Sequence, residues 1–179
     1  MNHAGRDQFP NKSMICSPGL MIGADDAGNP VRLVQLEAGE AMELGQRFAE
    51  LEPWRSYNSA ATSLSEFLAA QEDGAPRYGI HCNEKLAGAM CCRTNWLRGP
   101  HLQFIGILPE TQKQGIGACI LDWLESTAAA SGGRHVWIMV AERNHDARRF
   151  YERHGYQVTA AIPDVVQDGM TELMLRKRL

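Results

Sequence analysis

Phe104-Ile105-Gly106-Ile107-Leu108-Pro109-Glu110-Thr111-Gln112-Lys113-Gln114-Gly115-Ile116-Gly117-Ala118 runs from an apolar strand through a short glycine-containing loop into the start of a helix. Glycines at 115 and 117 let backbone N–H groups turn toward a ligand with no Cβ in the way. The helix N-terminus adds about half a positive charge from its dipole. A diphosphate fits such a turn. Two glycines before a helix also serve plain packing, so the loop alone does not identify its ligand. Competing phosphate motifs fit less well: a P-loop requires Gly-Lys followed by Ser or Thr, and a dinucleotide fingerprint requires a third glycine where Ile120 stands.

Outward from this loop, strand and helix signals alternate. Residues 77–81 and 86–93 read as strands joined by the turn Cys82-Asn83-Glu84-Lys85, and 101–108 as a third strand that Pro109 stops. Ile116, Ile120, Leu124 and Ala128 recur every four residues, which predicts a helix over 115–130 ended by Gly132-Gly133. Residues 135–140 are apolar on both alternating sets, as in a central strand. Asn144 can cap a helix to His154, with Asp146 in its positive first turn and Gly155 at its end. Strands over 156–161 and 171–177 enclose a polar loop.

On the other side, 31–36 reads as a strand and 41–51 as a helix ended by Pro53. A second helix starts near Thr62 or Ser63, with Ser63 and Glu66 as a capping box and Leu64, Phe67 and Leu68 inward. Between them, Pro53-Trp54-Arg55-Ser56-Tyr57-Asn58 either lines a pocket or staples two helices. The whole predicts one mixed α/β sheet domain over 31–179, with 1–30 as an N-terminal extension that carries at most one short strand.

Two segments together resemble the GNAT superfamily of N-acetyltransferases. Gln112-Lys113-Gln114-Gly115-Ile116-Gly117 is similar to that family's acyl-CoA motif. Asn144, Ala147, Phe150, Tyr151 and Gly155 resemble its later motif, in the expected order after a strand. The resemblance implies an acyl-CoA N-acyltransferase fold, a splayed mixed α/β sheet flanked by helices, with acetyl-CoA as co-substrate. It implies that the backbone of Ile107 and Leu108 meets the pantetheine arm, and that Gln112 and the amides of Gln114, Gly115, Ile116, Gly117 and Ala118 hold the diphosphate. Asn144 and Ala147 would lie beside the pantetheine, with Tyr151 near the thioester sulfur as catalytic acid. The same architecture implies an acceptor pocket bordered by Trp54, Arg55 and Tyr57 and by the loop 163–170.

Acetyl transfer to an amine passes through a tetrahedral intermediate, so an N–H at Ile107 or Leu108 is a candidate oxyanion donor. The leaving thiolate needs a proton. Taking cysteine, pKa about 8.5, as a stand-in for the thiol and about 10 for a phenol, transfer from Tyr151 is uphill by roughly 2 kcal/mol in water. An environment that lowers the phenol pKa would close the gap. Relatives in this superfamily often carry a carboxylate where this strand reads Leu102-Gln103-Phe104-Ile105. The general base is therefore open between Glu142, Glu172, His101 and a water chain. The acceptor is likewise open among amino acids, polyamines, drugs and peptides. A non-catalytic acyl-CoA sensor and a protein or peptide N-acetyltransferase are the alternative readings.

Bulk properties fit this picture. A net charge of −3 gives no general attraction to nucleic acid. Five cysteines, an odd number, without a secretory signal point to reduced thiols in the cytoplasm. Adjacent strand residues Cys91 and Cys92 face opposite sides, and the histidines lack ligand spacing, so no metal is expected. Pro18, Gly19, Gly23, Asp25 and Asp26 interrupt the early apolar run, which argues against a membrane span. Unpaired sheet edges make a homodimer an expectation.

Overall fold

The computed structural model describes residues 19–179. In chain order the elements are β1 (Leu20–Ala24), β2 (Pro30–Gln35), α1 (Ala38–Ala49), α2 (Ala61–Ala69), β3 (Arg77–Cys82), β4 (Lys85–Trp96) and β5 (Gly99–Ile107). A 3-10 turn (Pro109–Thr111) leads to α3 (Ile116–Ala130), β6 (His135–Ala141), α4 (His145–Arg153), β7 (Gln157–Pro163) and β8 (Thr171–Arg178). All eight strands form one sheet in the order β1-β2-β3-β4-β5-β6-β8-β7. The sheet therefore starts at Leu20, within the stretch read from sequence as an extension. The earlier Met14-Ile15-Cys16 lies outside the described residues.

Alternation along the strands builds two cores. On one face Val31, Leu33, Ile80, Met90, Cys92, Leu102 and Ile138 pack with Ile116, Ile120 and Leu124 of α3 and Tyr151 of α4. On the other, Ala89, Cys91, Phe104 and Leu108 pack with Ala41, Leu44 and Phe48 of α1 and Leu64 and Leu68 of α2. Cys91 and Cys92 fall in different cores, as the two-residue repeat requires. Each fully buried aliphatic side chain contributes about 1.5–3 kcal/mol, so both helical layers are clamped to the sheet.

The starts of α1 and α2 differ from the sequence reading, α1 beginning at Ala38 rather than 41. The Ser63–Glu66 capping box does not form: α2 begins at Ala61 behind Ala60, without a side-chain cap. Ala61 and Ser65 are pressed against Gly45 of α1, so helix crossing sets this terminus. The reciprocal arrangement appears instead at α1, where the Glu40 carboxylate accepts the Glu37 N–H at 3.1 Å.

The junction of β5 and β6 positions the site. They are the one parallel pair among the described residues, and their register covers just His101↔Trp137 and Leu102↔Ile138. At the paired end the strands are pressed together, since a Cβ on Gly99 would lie 1.7 Å from the His135 carbonyl oxygen. Beyond Leu102 the pairing stops although β5 continues to Ile107 and β6 to Ala141. The sheet opens there into a V. Among the described residues no helix is long and apolar enough to cross a membrane.

Candidate active site

Backbone direction in the V follows from the ladder on its other side. The Leu108 N–H donates to the Ala87 carbonyl of β4 at 2.8 Å, so Leu108 is unavailable as an oxyanion donor. Successive residues of an antiparallel strand turn their polar groups to opposite sides. Ile107 therefore presents its N–H and C=O to the opening. The Gln112 side-chain amide reaches back and donates to the Ile107 carbonyl at 2.8 Å. Gln112 thus secures the end of β5 rather than standing free in the loop.

The loop after Gln112 turns through two left-handed residues, Lys113 at φ 59° and Gly115 at φ 82°. Gly115 is the N-cap of α3. Its carbonyl accepts the Cys119 N–H at 3.0 Å, while the N–H groups of Ile116, Gly117 and Ala118 donate to nothing among the described residues. Three unpaired amides at the positive end of a fifteen-residue helix form an anion cradle. The β1–β2 hairpin braces it. Asp25 accepts the N–H groups of Ala27 and Asn29 at 2.9 and 2.8 Å, which stiffens the hairpin tip. The Asp26 N–H then donates to the Gln114 carbonyl at 2.9 Å. A Cβ on Gly115 would lie 2.3 Å from Asp26 Oδ1, so only glycine fits between hairpin and loop.

The second motif meets the first at Gly117, where an added Cβ would come within 3.1 Å of the Phe150 ring and 3.7 Å of Ile107. Asn144 caps α4 as its sequence predicts: its Oδ1 accepts the Ala147 N–H at 3.1 Å. The helix carries Ala147 and Phe150 against the α3-side core and buries Tyr151 in it at 5% exposure. The Tyr151 ring packs against Phe150 and Tyr156 at 5.3 and 5.9 Å between centroids. Burial pushes the phenol pKa up. The lowered phenol pKa considered from sequence is thus reversed, because the surroundings are apolar and carry no cation.

These groups can be compared with known proteins. A family model described as the acetyltransferase (GNAT) family matches residues 39–156, more than half of the chain. The chain belongs to the acetyltransferase (GNAT) family. A search of the curated proteins finds no match. Among solved structures, the ribosomal-protein-S18-alanine N-acetyltransferase from Escherichia coli is similar at TM-score 0.63 and 20% identity, over 83% of this chain and 93% of that one. Ard1 from Thermoplasma volcanium is similar at TM-score 0.65 and 12% identity, over 83% and 97%. A GNAT family acetyltransferase from Elizabethkingia anophelis, with acetyl-CoA bound, is similar at TM-score 0.54 and 14% identity, over 59% and 77%. Identities this low establish the shared GNAT fold. Acetyl-CoA as co-substrate, the sequence expectation, agrees with the last of these.

The GNAT match ends at Tyr156, short of β7 and β8, and the groups that the sequence reading set beside an acceptor pocket meet residues beyond it. Trp54 stacks on Phe104 and Phe48 at 4.9 and 4.8 Å, against Gly106, so it staples the α1–α2 loop to β5. Arg55 turns outward and donates to Glu52 at 2.9 and 3.1 Å. Tyr57 turns inward, and its hydroxyl donates to Glu172 of β8. Glu172 is 5% exposed, and burial raises its pKa despite that hydrogen bond and the nearby Arg143. The Arg143 guanidinium lies 5.2 Å from the Tyr57 ring centre. Sequence reading passed over Arg143; its position between a strand end and the Asn144 cap was the available signal.

The other base candidates are placed apart from this cluster. His101 is buried at the closed end of the V, six residues from Ile107, or roughly 20 Å along the strand. Burial, then Arg93, holds its pKa down at about 4. Glu142 is exposed in the turn after β6. A cleft of about 1070 Å³ between the C-terminal ends of α2 and α3 and the start of β5 also lies at the closed end, away from the converging groups.

Proposed function

We propose that this chain is an acetyl-CoA-dependent N-acetyltransferase that moves the acetyl group to a primary amine by direct attack. The observation that carries this reading is the meeting of the two motif segments at Gly117, Ile107 and Phe150, at the mouth of the opened sheet. The cradle suits a diphosphate: three unpaired amides and a helix dipole provide the donors, and Gly117 leaves backbone approach open.

From that anchor the pantetheine arm would run along the exposed edge of β5, past Ile107 and beside Asn144 and Ala147. The amine nitrogen attacks the thioester carbonyl, and the Ile107 N–H stabilises the resulting oxyanion. Collapse breaks the C–S bond, Tyr151 donates its proton to the departing sulfur, and the surplus proton on the newly acylated nitrogen returns the Tyr151 phenolate to a phenol. Burial keeps the phenol protonated until then, and the same apolar surroundings disfavour a thiolate, so the pair is better matched than the phenol shift alone implies.

The test is release of free CoA thiol from acetyl-CoA in the presence of an amine panel, with calorimetry for acetyl-CoA alone. Binding followed by amine-dependent thiol release is expected. Binding without release on small amines and peptides would turn the assignment toward a sensor, and no binding would remove it.

A further inference from the structure

Glu172, Tyr57 and Arg143 form a cluster that the acetyl-donor side does not use. Glu172 stands on β8 opposite Ala141, the last residue of β6, with Leu173 and Leu175 turned into the α3-side core. By alternation Glu172 faces the α1–α2 side, where Tyr57 covers it. A nearly buried carboxylate beside an open sheet, bonded to a single phenol from a loop, calls for an explanation beyond packing. The phenol of Tyr57 is half-buried and reaches both the carboxylate and the space under Arg143. Arg143 has no carboxylate within ion-pair distance among the described residues; it lies over the Tyr57 ring and donates to Met170 Sδ at 3.0 Å. Arg55, by contrast, is paired with Glu52.

Resting on the acetyltransferase reading above, we infer that Tyr57 and Glu172 take the acceptor's proton and that Arg143 holds a carboxylate on the same acceptor, so the substrate is a small amino acid. The acceptor ammonium gives a proton to Tyr57 Oη as Tyr57 passes its own proton to Glu172 Oε1. This leaves a neutral amine, an unchanged phenol and a protonated carboxyl. No other reactant is needed. Tyr57 touches the substrate, and Glu172 acts through it. An α-amino group, with pKa about 8, loses its proton more readily than a lysine-like amine near 10.4. A polyamine would leave Arg143 facing a second cation, while the carboxylates that sense Arg143, Glu172 and Glu52, are already held by Tyr57 and Arg55.

The experiment measures thiol release with the twenty protein amino acids beside their methyl esters. It is run on the wild-type chain and on Glu172→Gln, Tyr57→Phe and Arg143→Ala, with acetyl-CoA affinity measured in parallel. At least one amino acid is expected to be acetylated with kcat/KM ten times or more that of its ester. Arg143→Ala should raise KM for that amino acid about tenfold, with kcat nearly unchanged, and abolish the preference over the ester. Glu172→Gln and Tyr57→Phe should each lower kcat about a hundredfold, leave acetyl-CoA affinity within twofold, and remove the acidic limb of the kcat/KM profile. Equal use of acid and ester, or an intact acidic limb in both variants, overturns this inference while acetyl transfer stands. Failure of the wild-type chain to release thiol with any amine overturns both.

Discussion

Replacing Tyr151 by phenylalanine isolates the proposed proton donor, because the structure predicts an activity loss without a stability loss. Desolvation alone raises the phenol's pKa, with no charged or hydrogen-bonding group contributing, so removing the hydroxyl strands no strong partner. The ring itself packs against Phe150 and Tyr156 at 5.3 and 5.9 Å, contacts that phenylalanine keeps. Melting temperature should stay within about 2 °C, the equivalent of roughly half to one kcal/mol for a chain of this size. General acid catalysis contributes about a hundredfold to ten-thousandfold, and a phenol with its pKa raised by burial belongs at the weak end. The expected fall in kcat is about a hundredfold, or about 2.7 kcal/mol of barrier. Acetyl-CoA affinity should be unchanged. Single-turnover thiol release under saturating acetyl-CoA and amine reads the chemical step directly. Tyr156→Phe is the control: that hydroxyl donates to Glu125 at 3.1 Å, beside the Lys177–Glu125 pair at 2.6 Å. Losing it should cost about 1 kcal/mol of stability with no change in kcat. Unaltered turnover in Tyr151→Phe would refute the assignment of Tyr151 as acid.

Other substitutions probe the cradle and the sheet. Gly115→Ala forces a left-handed side chain against Asp26; it should cost at least 1–2 kcal/mol, lower the melting temperature by several degrees, and weaken acetyl-CoA binding tenfold or more. An unchanged affinity by calorimetry would mean that these amides do not hold the diphosphate. Asp26→Asn removes an anion from the mouth of α3 and should tighten acetyl-CoA binding severalfold at low salt, an effect that fades as salt is added. His101 titrates near 6.5 in the unfolded chain but about 4 when folded. Between those values the unfolded state binds more protons, so stability falls as pH drops from about 6.5 toward 4. His101→Leu should flatten that slope in thermal denaturation at pH 7, 6 and 5; an identical slope would show that His101 is not its source.

Much of the architecture was legible in the chain because the signals are local. The four-residue recurrence of Ile116, Ile120, Leu124 and Ala128 dictates one buried helix face, and all four are buried. Asn144 caps α4 through a side chain three residues from its partner. Where a non-local contact competes, the local reading fails: packing against Gly45 starts α2 at Ala61 despite a good capping sequence at Ser63.

The donor and acceptor sides divide along the same line. Gln112, Gly115, Gly117 and Asn144 shape the chain through contacts within a few residues of themselves, so the glycine-containing turn and the helix cap were legible in sequence. The base and the arginine that we propose, Glu172 through Tyr57 and Arg143 rather than Arg55, rest on which strands lie side by side. Tyr57 meets Glu172 across 115 residues of chain. Residue types and spacing do not encode that distance; it exists because β8 lies beside β6 and the α1–α2 loop folds over the opened sheet. The separation of β5 from β6 after Leu102 is likewise a property of the assembled sheet, since neither strand changes character there in sequence.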